Sequence, residues 1–242
     1  MYKICFITSL FSSSYKTADK PIKFKKSDIY DYYLFTNLDK KHFITSWKII
    51  NINDKEEPYL KDLNKYITKS RYFKFMAWKY FKEIKKNYDV IFYCDATYIP
   101  KISEDWAIIS NDIVNSDSGI IQSLHKLNVY DEFKLITKYK KDSEDNVKKT
   151  INFLKEHNAP INLKMPENTV FGYNPNNKNI TNTFEHFWEL YSRENLTHRD
   201  QPILGYIYYL YKINPNYYSK KMSRTLFKLN NKSSGFNNHK YV

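Results

Sequence analysis

Residues Tyr66–Pro100 read YITKSRYFKFMAWKYFKEIKKNYDVIFYCDATYIP, and the two halves of this stretch obey different periods. Tyr72, Phe75, Met76, Tyr80 and Ile84 recur at helical spacings with Lys or Glu between them, which predicts an amphipathic helix from Ser70 onward. Asn87 breaks the pattern. Val90–Tyr93 is then a short apolar run of the kind that forms a strand buried on both faces. Asp95 stands where that strand ends, in Cys94-Asp95-Ala96-Thr97. Open α/β sheets bind ligands outside the carboxyl ends of their strands. A carboxylate at that place is positioned to hold a divalent cation and, through it, a diphosphate.

The flanking sequence continues the alternation. Upstream, Tyr2–Thr8 reads as a first strand, Ser9–Ser14 as the loop beyond it, Ile29–Thr36 as a second strand and Ser46–Ile52 as a third. A short helix is expected over Leu60–Tyr66. Downstream, Ile102–Asn115 reads as short mixed structure and Gly119–Leu124 as an apolar strand. Helices are expected at Val129–Tyr139, Ser143–His157 (with Ser143 as N-cap), Thr181–Glu194 and Gln201–Tyr211, with a strand at Thr169–Tyr173. Strands alternating with helices predict an α/β fold with a largely parallel sheet, and no linker or repeat divides the 242 residues into two domains.

Composition narrows the class. Charged residues make up 27% and hydrophobic ones 42%, which is a globular balance. The net charge of +13 invites an anionic partner, namely nucleic acid, a membrane face or a phosphorylated small molecule. The lysines are spread in pairs such as Lys25-Lys26 and Lys148-Lys149, with no arginine-rich arm or zinc finger, so a solvated basic surface is favoured over nucleic-acid binding. Cys5 and Cys94 sit inside apolar strand patterns and read as buried, reduced thiols. No stretch reaches transmembrane length and no cleavage site follows Ile4–Phe11, which points to a cytoplasmic protein or one resting peripherally on a membrane. Gly-rich phosphate loops, serine-nucleophile elbows and zinc-helix motifs are all missing.

Several polar groups stand out against this background. Arg71 and Lys74 lie one turn apart and suit neutralisation of a phosphate or of Asp95, although a solvated helix face would look the same. His125 and the Asp131-Glu132 pair bracket a strand-to-helix junction, where acidic residues also serve as first-turn caps. Glu167-Asn168-Thr169 precedes a strand. His198-Arg199-Asp200-Gln201-Pro202 opens an apolar helix, where polar groups are expensive without partners that a hydroxylated ligand could supply. His239 could be a further metal ligand or simply tail.

Taken in order, SRYFK (Ser70–Lys74), DVIFYCDATY (Asp89–Tyr98), HKLNVYDEF (His125–Phe133), PENTVFGYN (Pro166–Asn174) and FEHFWELYSRENLTHRDQPILGYIYY (Phe184–Tyr209) resemble GT-A-fold glycosyltransferases. The likeness covers about residues 66–212. It is nearest to the family typified by the plant TOD and MUCI Golgi proteins, and more distant from glycogenin-like enzymes. Asp95-Ala96-Thr97 is similar to the Asp-x-Asp signature, with Thr97 at the second acidic position. The resemblance implies a Rossmann-like GT-A sheet with a nucleotide-binding half over about residues 1–100 and an acceptor half over about 101–242. It implies a UDP- or GDP-sugar donor, a glycan or glycoconjugate acceptor, and Mn2+ or Mg2+ on Asp95 with Thr97 and His239. Thr8 would meet the base, while Arg71, Lys74, Ala96 and Lys240 would meet the donor. Asp200, Gln201 and Glu167 would act at the reacting carbon, with Arg199, Asn168 and His125 against substrate. Thr97 is a weaker cation ligand than a carboxylate, which leaves open metal-independent transfer and a binding-only member of the fold.

Overall fold

The computed structural model describes residues 1–217 and 224–229. In chain order its elements are β1 (Ile4–Leu10), β2 (Asp31–Thr36), β3 (Lys48–Asn51), α1 (Tyr66–Glu83), β4 (Val90–Cys94), β5 (Tyr98–Pro100), α2 (Asp105–Val114) and β6 (Ile120–Leu124). There follow α3 (Val129–Lys138), α4 (Glu144–Glu156), β7 (Pro166–Tyr173), α5 (Lys178–Tyr191), α6 (Asp200–Leu210), β8 (Asn216–Tyr217) and β9 (Phe227–Leu229). Seven strands make one sheet in the order β3-β2-β1-β4-β7-β6-β8, and β5 pairs with β9 apart from it. β1 to β4 are mutually parallel, β7 runs against both of its neighbours, and β8 is parallel to β6. This is the mixed, mostly parallel α/β sheet that the alternation of elements predicts.

The order positions the site. The chain builds from β1 outward to β3, then returns to lay β4 on the other side of β1. Strand order therefore reverses between β1 and β4, and a crevice opens at the carboxyl ends of such a pair. Because β7 is antiparallel to both β4 and β6, the carboxyl ends of β4 and β6 share that edge with the amino end of β7.

Side-chain alternation splits the core in two. Cys5 and Ile7 of β1 join Ile91 and Tyr93 of β4 in one cluster, under α1 and α3 to α6. Phe6, Val90, Phe92 and Cys94 enter the other, under Trp106 and Ile109 of α2 and Trp47. Both cysteines are buried and reduced, as expected. Phe73 fastens α1 across the carboxyl ends of β1 and β2, stacking on Phe35 at 4.4 Å and Phe11 at 5.8 Å between ring centroids. Each such pair contributes about 0.5–1.5 kcal/mol beyond its buried area.

Several boundaries differ from the expectation: β1 runs on to Leu10, β7 begins at Pro166 and α5 at Lys178, and the region around α1 and α2 departs further. α1 starts at Tyr66, not Ser70, and no helix covers Leu60–Tyr66, where the chain makes turns instead. The helix start has no local side-chain cap. Its supporting acceptor is the Glu194 carboxylate, which takes the backbone N–H groups of Asn64 and Lys65 at 3.0 Å each. Residues 105–114 form α2 rather than mixed structure, because Trp106, Ile109, Ser110 and Ile113 make a buried stripe at helical spacing. Helix α6 is buried along most of its length, as its apolar sequence predicts.

Gly205 lets α6 approach the segment leading into β7. A Cβ there would stand 2.6 Å from the backbone carbonyl oxygen of Lys164. Gly205→Ala is expected to lower stability by about 1–3 kcal/mol in urea unfolding, because the clash is with backbone rather than a movable side chain.

Candidate active site

The site is built around a charge that the fold has buried. Lys74 lies on the inward face of α1 with its side chain 2% exposed. An ammonium in that position must be paired or it would lose its proton. Its Nζ stands 2.9 Å from Asp200 Oδ2, at the first turn of α6, and 3.7 Å from Asp95 Oδ1, just past β4. It also lies 4.8 Å from the centroid of the Tyr93 ring. One turn earlier on the same face, Arg71 Nε reaches the same Asp200 oxygen at 3.1 Å. Two cations from α1 thus converge on one carboxylate of α6, and one of them also reaches the end of β4.

The electrostatics follow from this geometry. Burial works against the charge on Asp200, but Lys74 and Arg71 outweigh it and hold the carboxyl well below its usual range. Burial likewise opposes the charge on Arg71, and Asp200 overcomes it, so the guanidinium is held even more firmly protonated. For Lys74 burial wins: its pKa is lowered although Asp200 and Asp95 pull upward. Tyr93 keeps its proton, being buried and next to Asp95, and donates it to Asp95 Oδ1 at 2.7 Å. The Asp95 backbone N–H donates to the Thr169 carbonyl at 2.9 Å, tying the end of β4 to β7.

A second group adjoins the first through Gln201. β7 begins at Pro166, so Glu167, Asn168 and Thr169 lie inside the strand rather than ahead of it. Glu167 accepts hydrogen bonds from the Thr169 hydroxyl at 2.6 Å and from Gln201 Nε2 at 3.4 Å. His125 Nε2 stands 3.9 Å from its other oxygen, and Arg199 Nη2 donates to Gln201 Oε1 at 3.2 Å. The structure therefore brings Arg71, Lys74, Asp95, His125, Glu167, Arg199, Asp200 and Gln201 together along one sheet edge. Asn168 is bound to Gln122 beneath that edge. Thr8 is fully buried inside β1, and Ala96, in the turn after β4, is 4% exposed. Thr97 is half-buried in the turn after Asp95. His239 and Lys240 fall outside the described residues. Asp131 is a first-turn partner of the Asn128 cap, accepting from its Nδ2 at 2.7 Å.

Two contributors escaped the sequence. Tyr93 was legible only as a strand residue. Asp142, in the loop between α3 and α4, accepts from the Thr197 hydroxyl at 2.7 Å and the His198 backbone N–H at 2.9 Å, and pairs with His198 Nδ1 at 3.1 Å. It clamps the residues that lead into Asp200 from 55 positions away in the chain, and nothing local announces that.

Among the described residues no three His, Cys, Asp or Glu side chains converge as a metal set. A hard cation carried by one carboxylate, substrate phosphates and water needs no such set. Asp95, with its side chain 36% exposed, can supply that carboxylate. Open cavities of about 700 and 550 Å³ lie elsewhere, one lined by residues such as Asn115, Asp117 and Tyr211, the other by Pro160, Tyr209 and Tyr217. Convergence of charge, rather than depth, marks the edge at Asp95. No helix among the described residues is long and apolar enough to cross a membrane.

No family model matches the chain, and no curated protein matches it. Solved structures do. Mouse xyloside xylosyltransferase 1, in its apo form, aligns at TM-score 0.49 and 10% identity over 90% of this chain and 85% of that one. The galactosyltransferase LgtC, in complex with donor and acceptor sugar analogs, aligns at TM-score 0.46 and 10% identity over 92% and 85%. The WbbM bifunctional glycosyltransferase aligns at TM-score 0.47 and 13% identity over 85% of this chain and 37% of its own. At these values the likeness assigns no role to any residue here. The narrower likeness to plant TOD and MUCI proteins remains one of sequence motifs.

Removing Lys74 would leave Asp200 buried without the largest of the charges that offset its burial. Lys74→Met is expected to cost about 3–5 kcal/mol at pH 7 in urea unfolding. Acid provides an independent check. The Asp200 carboxyl binds its proton less readily folded than unfolded, so its stabilising contribution is present above about pH 4 and lost as pH falls further. Urea unfolding across pH 7 to 3 should show a steep loss for the wild type and a shallower one for Lys74→Met.

Proposed function

We propose that this chain is a nucleotide-sugar-dependent glycosyltransferase of the GT-A kind, moving a sugar from a UDP- or GDP-sugar to a hydroxyl of a glycan or glycoconjugate. The observation that carries this reading is the placement of Asp95 at the carboxyl end of β4, where strand order reverses, directly beside the Lys74–Asp200–Arg71 cluster. The ordered sequence motifs support the same reading.

The residues divide the work by their environments. Asp95 would face the donor diphosphate. A Mn2+ or Mg2+ ion, when bound there, would offset the charge developing on the departing nucleotide. Arg71 is ion-paired with Asp200 and donates one N–H to Ser70 Oγ at 3.3 Å, leaving other donors of its five for phosphate or sugar. Asp200 is a poor proton acceptor, since two cations hold it ionised. Its fixed negative charge instead suits stabilisation of positive charge building at the anomeric carbon. Glu167 is more accessible, steadied by Thr169 and Gln201 with His125 beside it, and is the better placed of the two carboxylates to receive a proton from an acceptor hydroxyl.

The test is donor hydrolysis and thermal stabilisation across UDP-, GDP- and CMP-sugars, with and without Mn2+, for wild type and Asp95→Ala. One nucleotide sugar should stabilise the protein and be hydrolysed, with the rate falling about 100-fold in the variant. Stabilisation without turnover, even with acceptors supplied, would support a binding-only protein. Steeply salt-dependent binding to generic DNA or RNA, with no response to any nucleotide sugar, would overturn the reading.

A further inference from the structure

Beneath the edge runs a buried chain of side-chain amides whose orientation is forced. Gln122 of β6 is fully buried. One end of its amide lies 3.3 Å from the Glu167 carbonyl oxygen, which can only accept, so that end is Nε2. The other end, Oε1, therefore meets the Tyr208 hydroxyl at 2.9 Å, and Tyr208 donates. Tyr208 lies on α6, its hydroxyl kept protonated by burial. Gln122 Nε2 also stands 2.7 Å from Asn168, which must accept there through Oδ1. The direction of every bond is thus set by the two ends of the chain.

One donor is left over. Asn168 is 2% exposed, and its Nδ2 is buried without a hydrogen-bond partner. Leaving such a group unpaired is costly, and a structure that keeps one calls for an explanation. The local backbone offers it. Gln122 stands opposite Phe171 and Ser123 opposite Glu167, so the register of β6 against β7 shifts between them in a bulge. Bulges of this sort re-aim side chains next to active sites. Asn168 sits in the bulge between Glu167 and Thr169, whose side chain and carbonyl belong to the edge already described.

We propose that Tyr208 and Gln122 are positioning residues: they lock the Asn168 amide with its NH2 outward from the relay, preset to donate to a hydroxyl or ring oxygen of the sugar moiety of the bound donor. This rests on the nucleotide-sugar reading above and deepens it, since it separates the part of the site that reads sugar from the part that reads diphosphate. Neither Tyr208 nor Gln122 touches the ligand. They act through Asn168 alone.

The experiment compares dissociation constants by calorimetry for a nucleoside diphosphate and for the matching nucleotide sugar. The proteins are wild type, Asn168→Ala, and the double variant Gln122→Leu/Tyr208→Phe. The double variant removes both ends of the Tyr208–Gln122 hydrogen bond but leaves the Glu167 carbonyl and Asn168 Oδ1 without their Gln122 donor. It should therefore melt below wild type, and binding is compared well below its melting temperature; Gln122→Leu alone would also strand the Tyr208 hydroxyl. Both Asn168→Ala and the double variant should bind the nucleotide sugar about tenfold more weakly while binding the nucleoside diphosphate as wild type does. Equal weakening of both ligands, or no weakening of either, would overturn the assignment and leave the function intact. A wild type that binds nucleoside diphosphate and nucleotide sugar equally well would also overturn it. A wild type that binds no nucleotide would overturn the function itself, and the relay with it.

Discussion

Everything at the candidate site depends on the burial of one ammonium. Lys74 is almost wholly out of water, and a lone charge there would be intolerable. The fold answers by bringing two carboxylates from distant parts of the chain to it: Asp95 from the end of β4 and Asp200 from the start of α6. That requirement fixes the distance between α1, the sheet edge and α6. It also explains why α6, though apolar, opens with Asp and Gln. The arrangement is costly as a stabilising device, since replacing buried ion pairs with apolar residues is often neutral or better. A cluster of this kind is more readily understood as chemistry held in place: fixed charges prepared before a ligand arrives, with no reorganisation needed at the moment of reaction.

Rigid support surrounds the cluster. Phe73 is stacked between Phe11 and Phe35, so the α1 face that carries Arg71 and Lys74 cannot slide along the sheet. Glu194 caps the start of α1 from the turn after α5, and Asp142 clamps Thr197 and His198 from the α3–α4 loop. Gly205 allows α6 close against the entry to β7. Each of these contacts joins segments far apart in sequence, and each holds a residue of the site rather than touching it. Precision at the edge is therefore a property of the whole domain.

This division also explains what could be read from the sequence. The order of strands and helices was legible, because hydrophobic period is a local property and survives in β4, α4 and α6. So was Asp95, because it directly follows a strand run, and so were Asp200 and Gln201, because polar residues ahead of an apolar helix are conspicuous. The true start of α1 was not legible: its cap is a carboxylate 130 residues away. α2 was passed over although its buried stripe has helical spacing, since short apolar residues among Ser, Asn and Asp also suit irregular structure. Gln122 looked like an ordinary strand residue and Tyr208 like one tyrosine among 23. Their importance arises only once the sheet sets them beside Asn168. Thr8 was placed at the base by the resemblance alone; β1 continues to Leu10, and Thr8 is fully buried within it.

The proposed function requires the ligand to lie across the carboxyl ends of β1 and β4. A crystal structure of the chain with a nucleotide sugar tests this most directly. Diphosphate density is expected against Asp95 and Arg71, with the sugar between Glu167, Asn168 and Asp200. A nucleotide seated instead in the cavity lined by Asn115, Asp117 and Tyr211, with Lys74 and Asp200 still closed on each other and untouched, would contradict it.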